Sequence, residues 1–243
     1  MSGATADLVS NELDVLAALL PLQQRAQRGS GVNVIELGCG SARLLREMLE
    51  LGLTRHAVGL EVDTRQHAKN LANPMAGLTC VHASATAVPY PDAHFDLALM
   101  LKSLHHVPLH DMARALDEVA RVLKPGGWLY VSEPVYDGAL NTLIKLFNDE
   151  GMVRMAAQLA LDEAVDRHDS PWTALQEERF DMPVRYASCA DFEQRMLYPT
   201  FADHRVDEAM LQAVRAAYAP HAAPDGSARF TRPMHLRLLQ KRG

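Results

Sequence analysis

The sequence predicts an α/β fold, a doubly wound seven-stranded sheet that is mostly parallel, and three observations predict it. Apolar runs of strand length fall at 33–37, 56–61, 78–81, 95–101 and 128–133, and stretches of helical periodicity separate most of them. The first run ends in a glycine-rich turn, Gly38-Cys39-Gly40, that leads straight into an amphipathic helix. A final alternating segment, Met234 to Leu239, follows a loop marked by Pro220, Pro224 and Gly226 and closes the sheet as an antiparallel last strand.

At 243 residues and 48% apolar content the chain suits one domain with its own core. A net charge of −6 with no long basic run speaks against nucleic acid as the main partner. Cys39, Cys80 and Cys189 are too few and too scattered for a disulfide framework or a zinc knuckle, so a reduced, cytoplasmic setting is expected. No basic-then-apolar leader is visible at the N-terminus. The apolar stretch Val15 to Leu20, cut by Pro21, is far short of the roughly 20 residues a membrane helix needs.

In chain order, residues 6–27 read as one amphipathic helix broken or bent around Pro21, within an N-terminal helical cap over 1–30. Val34, Ile35 and Leu37 suit a buried parallel strand; Gly38 and Gly40 permit angles and a ligand approach that a Cβ would obstruct. Ser41 is the expected N-cap of the helix carrying Leu44, Leu45, Met48 and Leu49. The second strand ends in Glu61, twenty-five residues after Glu36, near the roughly 20-residue spacing at which such folds set a carboxylate against a ribose diol. Asp63 to Gln66 has the pattern of a capping box.

Phe95 to Leu101 is the buried fourth strand, followed at once by Leu104-His105-His106. Residues 109–123 are helical and stop at Lys124-Pro125-Gly126-Gly127, and 128–133 is the fifth strand, completing a cofactor-binding core over 31–134. A helical insertion follows strand five, with helix expected over 137–179 and a lid over 135–182, rich in Leu, Met and Ala. Its Met and aromatic residues are expected either to fill the lid's own core or to line an apolar pocket. Residues 183–243 supply the rest of the sheet, with a sixth strand somewhere in 194–206 and a helix over 207–218.

The glycine spacing separates two ligand classes. A dinucleotide fingerprint needs glycine at the sixth position of the turn, where this chain has Arg43, a residue that would obstruct helix-strand packing. The pattern acid-x-Gly-x-Gly-x-small is met by Glu36, Gly38, Gly40 and Ala42. With Val58 to Asp63, Ser84 to Asp96, Leu104 to His106 and Ala120 to Gly127 in the same order, residues 31–134 resemble the Rossmann-like class I S-adenosylmethionine-dependent methyltransferases, in particular the small-molecule group around the ubiquinone and menaquinone methyltransferases.

The resemblance implies S-adenosylmethionine as cofactor and a small-molecule methyl acceptor. It implies Gly38 and Gly40 against the methionyl part, Glu36 on its ammonium group, and Glu61 on the ribose hydroxyls. It implies Val62 on the adenine face, Ser84 and Ala85 at the adenine edge, and Met100 and Leu101 near the sulfonium. Two departures stand out: Ala42 replaces a frequent glycine, and Ser84 replaces an aspartate that accepts from the adenine amino group.

In-line methyl transfer requires alignment, exclusion of water and, for a hydroxyl or acidic carbon, a base. His105 and His106, at the carboxyl end of the fourth strand, are the candidate bases; their other reading is structural, buttressing the next helix. No Asn-Pro-Pro-Tyr or Pro-Cys follows that strand, which sets oxygen or carbon acceptors ahead of nitrogen. The histidines form no recognised metal-ligand spacing, so no metal is assigned. The competing expectations are a non-catalytic binding or dimerisation protein of the same fold and, further off, a nicotinamide-dependent oxidoreductase; oligomeric state is left open, a homodimer included.

Overall fold

A computed structural model describes residues 7–27, 29, 31–199 and 204–243. In chain order they form β1 (Asp7–Leu8), α1 (Glu12–Leu19), α2 (Leu22–Gln27), β2 (Asn33–Leu37), α3 (Arg43–Glu50), β3 (His56–Glu61), α4 (Thr64–Ala72) and β4 (Leu78–His82). Then come β5 (Phe95–Leu101), two short 3-10 turns, α5 (Met112–Val122), β6 (Leu123–Pro134), α6 (Gly138–Ile144) and α7 (Gly151–Asp166). The chain ends with β7 (Trp172–Tyr186), α8 (Cys189–Met196), α9 (Glu208–Tyr218) and β8 (Ala228–Lys241).

The strands lie in the order β1-β7-β8-β6-β5-β2-β3-β4, with β8 antiparallel to both neighbours and every other pair parallel. This is the expected doubly wound sheet with its antiparallel last strand, extended at one edge by the two-residue β1. From β2 the chain winds outward through β3 and β4, then returns to place β5 on the other flank of β2. The crevice outside the carboxyl ends of β2 and β5 is therefore the switch point where ligands bind in such sheets.

Leucine and valine side chains on β2, β3, β5 and β6 feed two cores, one on each face. One packs against α5 and α7, the other against α1, α2 and α3. A third cluster, with Tyr186, Phe192, Tyr218 and Phe230, joins α6, α8 and α9 to the outer ends of β7 and β8. The Ser84 to Asp96 stretch is tied to Ala120 to Gly127 by Arg121, which donates to the carbonyls of Val88 (2.9 Å) and Tyr90 (2.8 Å) and to Asp92 (2.8 Å). Ion pairing with Glu118 and Asp92 pushes that guanidinium well above its ordinary range.

Several expectations need correction. The sixth strand is not within 194–206: β7 covers Trp172–Tyr186, and 189–196 is helix α8, while 200–203 lie outside the described residues. The helical insertion consequently ends with α7 at Asp166, short of the expected 179, and the sheet resumes before the expected lid boundary at 182. Most of β7 faces solvent and carries Gln176, Glu177, Glu178 and Arg179; pairing with β8 along almost its whole length makes it a strand. Of the two expectations for the N-terminal stretch, a break and not a bend is found: α1 and α2 are separated at Leu20 and Pro21, and β1 precedes them. Of the Met and aromatic residues of the insertion, Phe147 lines a pocket and packs on the third cluster and Trp172 is buried in the core, whereas Met152 and Met155, with Leu159, are exposed on α7. No described helix is long and apolar enough to cross a membrane.

Candidate functional site

The turn after β2 is held from three sides. The amides of Gly38 and Cys39 both donate to Leu60 O on β3 (3.0 and 2.9 Å), and buried Asn70 on α4 donates to Gly40 O (2.7 Å). Across the switch point, Ser103 Oγ donates to Leu37 O (2.7 Å) and fixes the turn after β5 against the end of β2. Gly38 has φ of +72°, and a Cβ built there would lie 2.7 Å from Ser103 Cβ. Gly38→Ala is accordingly expected to cost about 2 kcal/mol or more, from overpacking and the left-handed backbone together. A fall in the urea midpoint at unchanged m-value would show it; an unshifted midpoint would mean the turn has room that this geometry denies.

The residue preceding α3 is Ala42, not Ser41: Ala42 takes the left-handed conformation (φ 55°), is fully buried, and gives the helix no side-chain cap. The first amides of α3 are left without a side-chain acceptor beside the crevice. The left-handed angle also explains why glycine would suit this position. Arg43 does not obstruct helix-strand packing: it is exposed, pairs with Glu47 (3.0 Å) and lies on the crevice wall, while α3 approaches β3 through Leu45 against Gly59.

A crevice of about 1010 Å³ opens at the switch point, and every residue assigned to the cofactor from sequence lines it: Glu36, Gly38, Gly40, Glu61, Val62, Ser84, Ala85, Met100 and Leu101. Glu36 is buried, and its Oε2 has no hydrogen-bond partner among the described residues. Burial pushes its carboxyl up to about 8, against the pull of Lys102 and with a further push from Glu12. Glu61 accepts from the amides of Gly40 (2.8 Å) and Asp63 (2.8 Å). Asp63 caps α4 by accepting from Arg65 N (2.9 Å), but Glu61 takes the place expected of Gln66 in the capping box. Val62 is exposed, and Ser84 Oγ accepts from Thr86 N (3.2 Å), shaping the loop after β4. Cys39 packs on Gly59, and burial drives its thiol far above the ordinary range, so it is inert.

His105 and His106 lie on the same wall, their rings 4.0 Å apart. His105 is buried and its Nδ1 meets Glu133 Oε2, while Glu133 Oε1 accepts from Leu104 N (2.8 Å). His106 is exposed toward the crevice; surrounding protein and the neighbouring His105 push it below its ordinary value. Glu150 opens α7 with Oε1 3.9 Å from His105 Nε2, and Arg154 donates to its Oε2 through Nε (3.1 Å) and Nη2 (2.5 Å). Burial works to raise the Glu150 carboxyl, but His105 and Arg154 hold it below the usual range.

His105, His106 and Glu150 bring one donor atom each within 4.8 Å of the others, a spacing a divalent ion could bridge. Arg154 already supplies the cation that Glu150 faces, and we assign no metal there.

Sequence reasoning missed Glu12, Asn70, Lys102, Ser103, Glu133 and Glu150. Glu133 carried a readable signal, since it ends the fifth strand as Glu61 ends the second. Lys102 also breaks an apolar strand at its carboxyl end; its φ is +56°, and its Nζ donates to buried Glu12 (3.2 Å).

The family model described as Methyltransferase domain matches residues 35–131. The chain is 36% identical over 116 residues to a fatty-acid O-methyltransferase of Mycolicibacterium smegmatis, covering 44% of this chain and 39% of that protein. It is 32% identical over 120 residues to a ubiquinone biosynthesis O-methyltransferase of Paracidovorax citrulli, covering 47% of this chain and 45% of that one. The matched segment thus spans less than half the length of these relatives. Among solved structures, a putative methyltransferase from Bacillus halodurans superposes with a TM-score of 0.61 at 16% identity, covering 93% of this chain and all of that one, a likeness of fold.

Proposed function

We propose that this chain, whose residues 35–131 match the family model described as Methyltransferase domain, binds S-adenosylmethionine at the β2–β5 switch point and directs its methyl group to a small organic acceptor, at oxygen or carbon ahead of nitrogen. The observation that carries this reading is Glu36 Oε2, a buried carboxylate oxygen without a hydrogen-bond partner among the described residues, on the wall of the crevice beside Gly38. A buried acid of this kind asks for a donor, and an ammonium group supplies one.

When bound, the sulfonium supplies an electrophilic methyl carbon with its leaving group already attached. The residues of the chain then bind and orient. Glu36 would accept from the ammonium, Gly38 and Gly40 would leave room for the methionyl chain, and Glu61, held by two amides, would accept from the ribose hydroxyls. Val62 would cover the adenine face, Ser84 and Ala85 would meet its edge, and Met100 and Leu101 would lie on the sulfonium side. His105 is a positioning residue, fixed by Glu133. His106 takes the proton of the acceptor, a task its depressed basicity suits, because it is neutral near pH 7. Helices α6 and α7 wall off the acceptor side and limit water. The two O-methyltransferase relatives support oxygen as acceptor.

Titration calorimetry with S-adenosylmethionine and its demethylated product tests the reading. Binding is expected for both, and no heat from folded protein sinks it. Glu61→Ala should weaken binding by about 1.5–3 kcal/mol, the range for hydrogen bonds to a charged group. Unchanged affinity would place the ribose elsewhere.

A further inference from the structure

A second, smaller pocket of about 180 Å³ shares Lys102, His105, His106, Asn148 and Glu150 with the crevice and continues beyond them toward β8. Its wall carries four fixed cations, Lys102, Arg154, Arg195 and Arg232, against one acid, Glu150. Three of the cations are answered within the protein. Lys102 pairs with Glu12 (3.2 Å), and Arg154 with Glu150, Asn141 Oδ1 (3.0 Å) and Val135 O (3.3 Å). Arg195 donates to Asp191 (3.3 Å) and Arg185 O (3.0 Å) and lies over the Tyr186 ring at 4.6 Å. Arg232, partly buried on β8 opposite Met182, makes no hydrogen bond or ion pair with any described residue.

We infer that Arg232 is the anchor for a carboxylate on the acceptor, so that the acceptor class is a small organic acid whose apolar body lies against Ile144, Phe147 and Met196. This deepens the methyl-transfer reading and rests on it for the identity of the crevice next door. The physical argument is one of uncompensated charge. Burial, reinforced by Arg154 and Arg195 against the opposing pull of Tyr186 and Glu150, pushes the Arg232 guanidinium below its ordinary value, so the charged form is short of water and has no hydrogen-bonded counter-ion among the described residues. A carboxylate restores both through two parallel hydrogen bonds, which the planar fork of arginine is shaped to give. Glu150 cannot serve, because Arg154 holds it by two nitrogens. The apolar side chains and small volume favour a carboxylate on a hydrocarbon body over a hydrated phosphate. The shared wall of His105 and His106 then sets the body of the acid between its anchor and the methyl donor.

The test compares benzoate with its neutral isostere benzamide, with inorganic phosphate as a third arm, by calorimetry on the full chain saturated with S-adenosylhomocysteine. Wild type is expected to bind benzoate at least about ten times more tightly than benzamide, and Arg232→Met to erase that preference while S-adenosylhomocysteine affinity stays unchanged. Equal affinity of wild type for benzoate and benzamide, or a preference that survives Arg232→Met, overturns the assignment. Phosphate binding more tightly than benzoate overturns the carboxylate class. Should Arg232→Met fail to fold, Arg232→Lys is expected to keep a reduced preference, and the wild-type ratio remains decisive. A benzoate preference without any S-adenosylhomocysteine binding would sustain the anion site and defeat the cofactor reading; the reverse result defeats the anion site alone.

Discussion

His106→Ala is expected to lower turnover by about 10²- to 10⁴-fold on an acceptor that must lose a proton, with cofactor affinity unchanged. The size follows from general-base catalysis; the choice of His106 over His105 follows from where each can put a proton. His105 is buried and its Nδ1 is committed to Glu133, so its ring is an internal strut. His106 reaches the crevice, and its depressed basicity keeps it an acceptor of protons at neutral pH. Turnover should therefore fall as pH drops through a value below 6.5, the ordinary value for this side chain, and stay flat above it. His105→Ala should instead lower stability, because it leaves Glu133 Oε2 buried with one partner fewer. Full turnover in His106→Ala would return both histidines to a structural role.

How much of this was legible in the sequence depends on whether chemistry lay at the end of a predictable strand. Glu36, Gly38, Gly40 and Glu61 stand where β2 and β3 stop, and the switch-point rule alone places them together. Lys102 and Ser103 stand directly after β5 and share that logic, yet a lysine and a serine after a strand look like any surface turn. Asn70 was hidden for another reason: it sits on α4, and only tertiary packing brings its amide to Gly40 O. Arg232 and β7 failed together. The charged middle of β7 has no alternation to read, because one long antiparallel pairing with β8 supplies its hydrogen bonds whatever its side chains prefer. With β7 misplaced, nothing located Arg232 next to the helices of the insertion. The elements whose local pattern agreed with the fold were readable; those set by long-range pairing were not.

Raising the pH from about 5 to 8 should destabilise the unliganded protein through Glu36, and Glu36→Gln should remove that share of the slope. The carboxyl, ordinarily at 4.5, is held near 8 by burial, with Lys102 opposing and Glu12 adding to the shift. Across that window the folded chain keeps a proton that the unfolded chain has released. The stabilisation is complete below 4.5 and is lost as pH rises through the folded value near 8, at a limiting slope of about 1.4 kcal/mol per pH unit. Urea denaturation of wild type and Glu36→Gln at pH 5, 6, 7 and 8 isolates the difference, since the remaining titrating groups are common to both. Binding should reverse the linkage. An ammonium group seated on Glu36 favours the carboxylate, so binding S-adenosylhomocysteine at pH 7 should release close to one proton, read as the dependence of the calorimetric heat on buffer ionisation enthalpy. In Glu36→Gln that release should vanish and affinity should drop. Binding without proton release in wild type would mean that the ammonium lies away from Glu36, and the acid would then be a feature of the folded turn with no part in holding the cofactor.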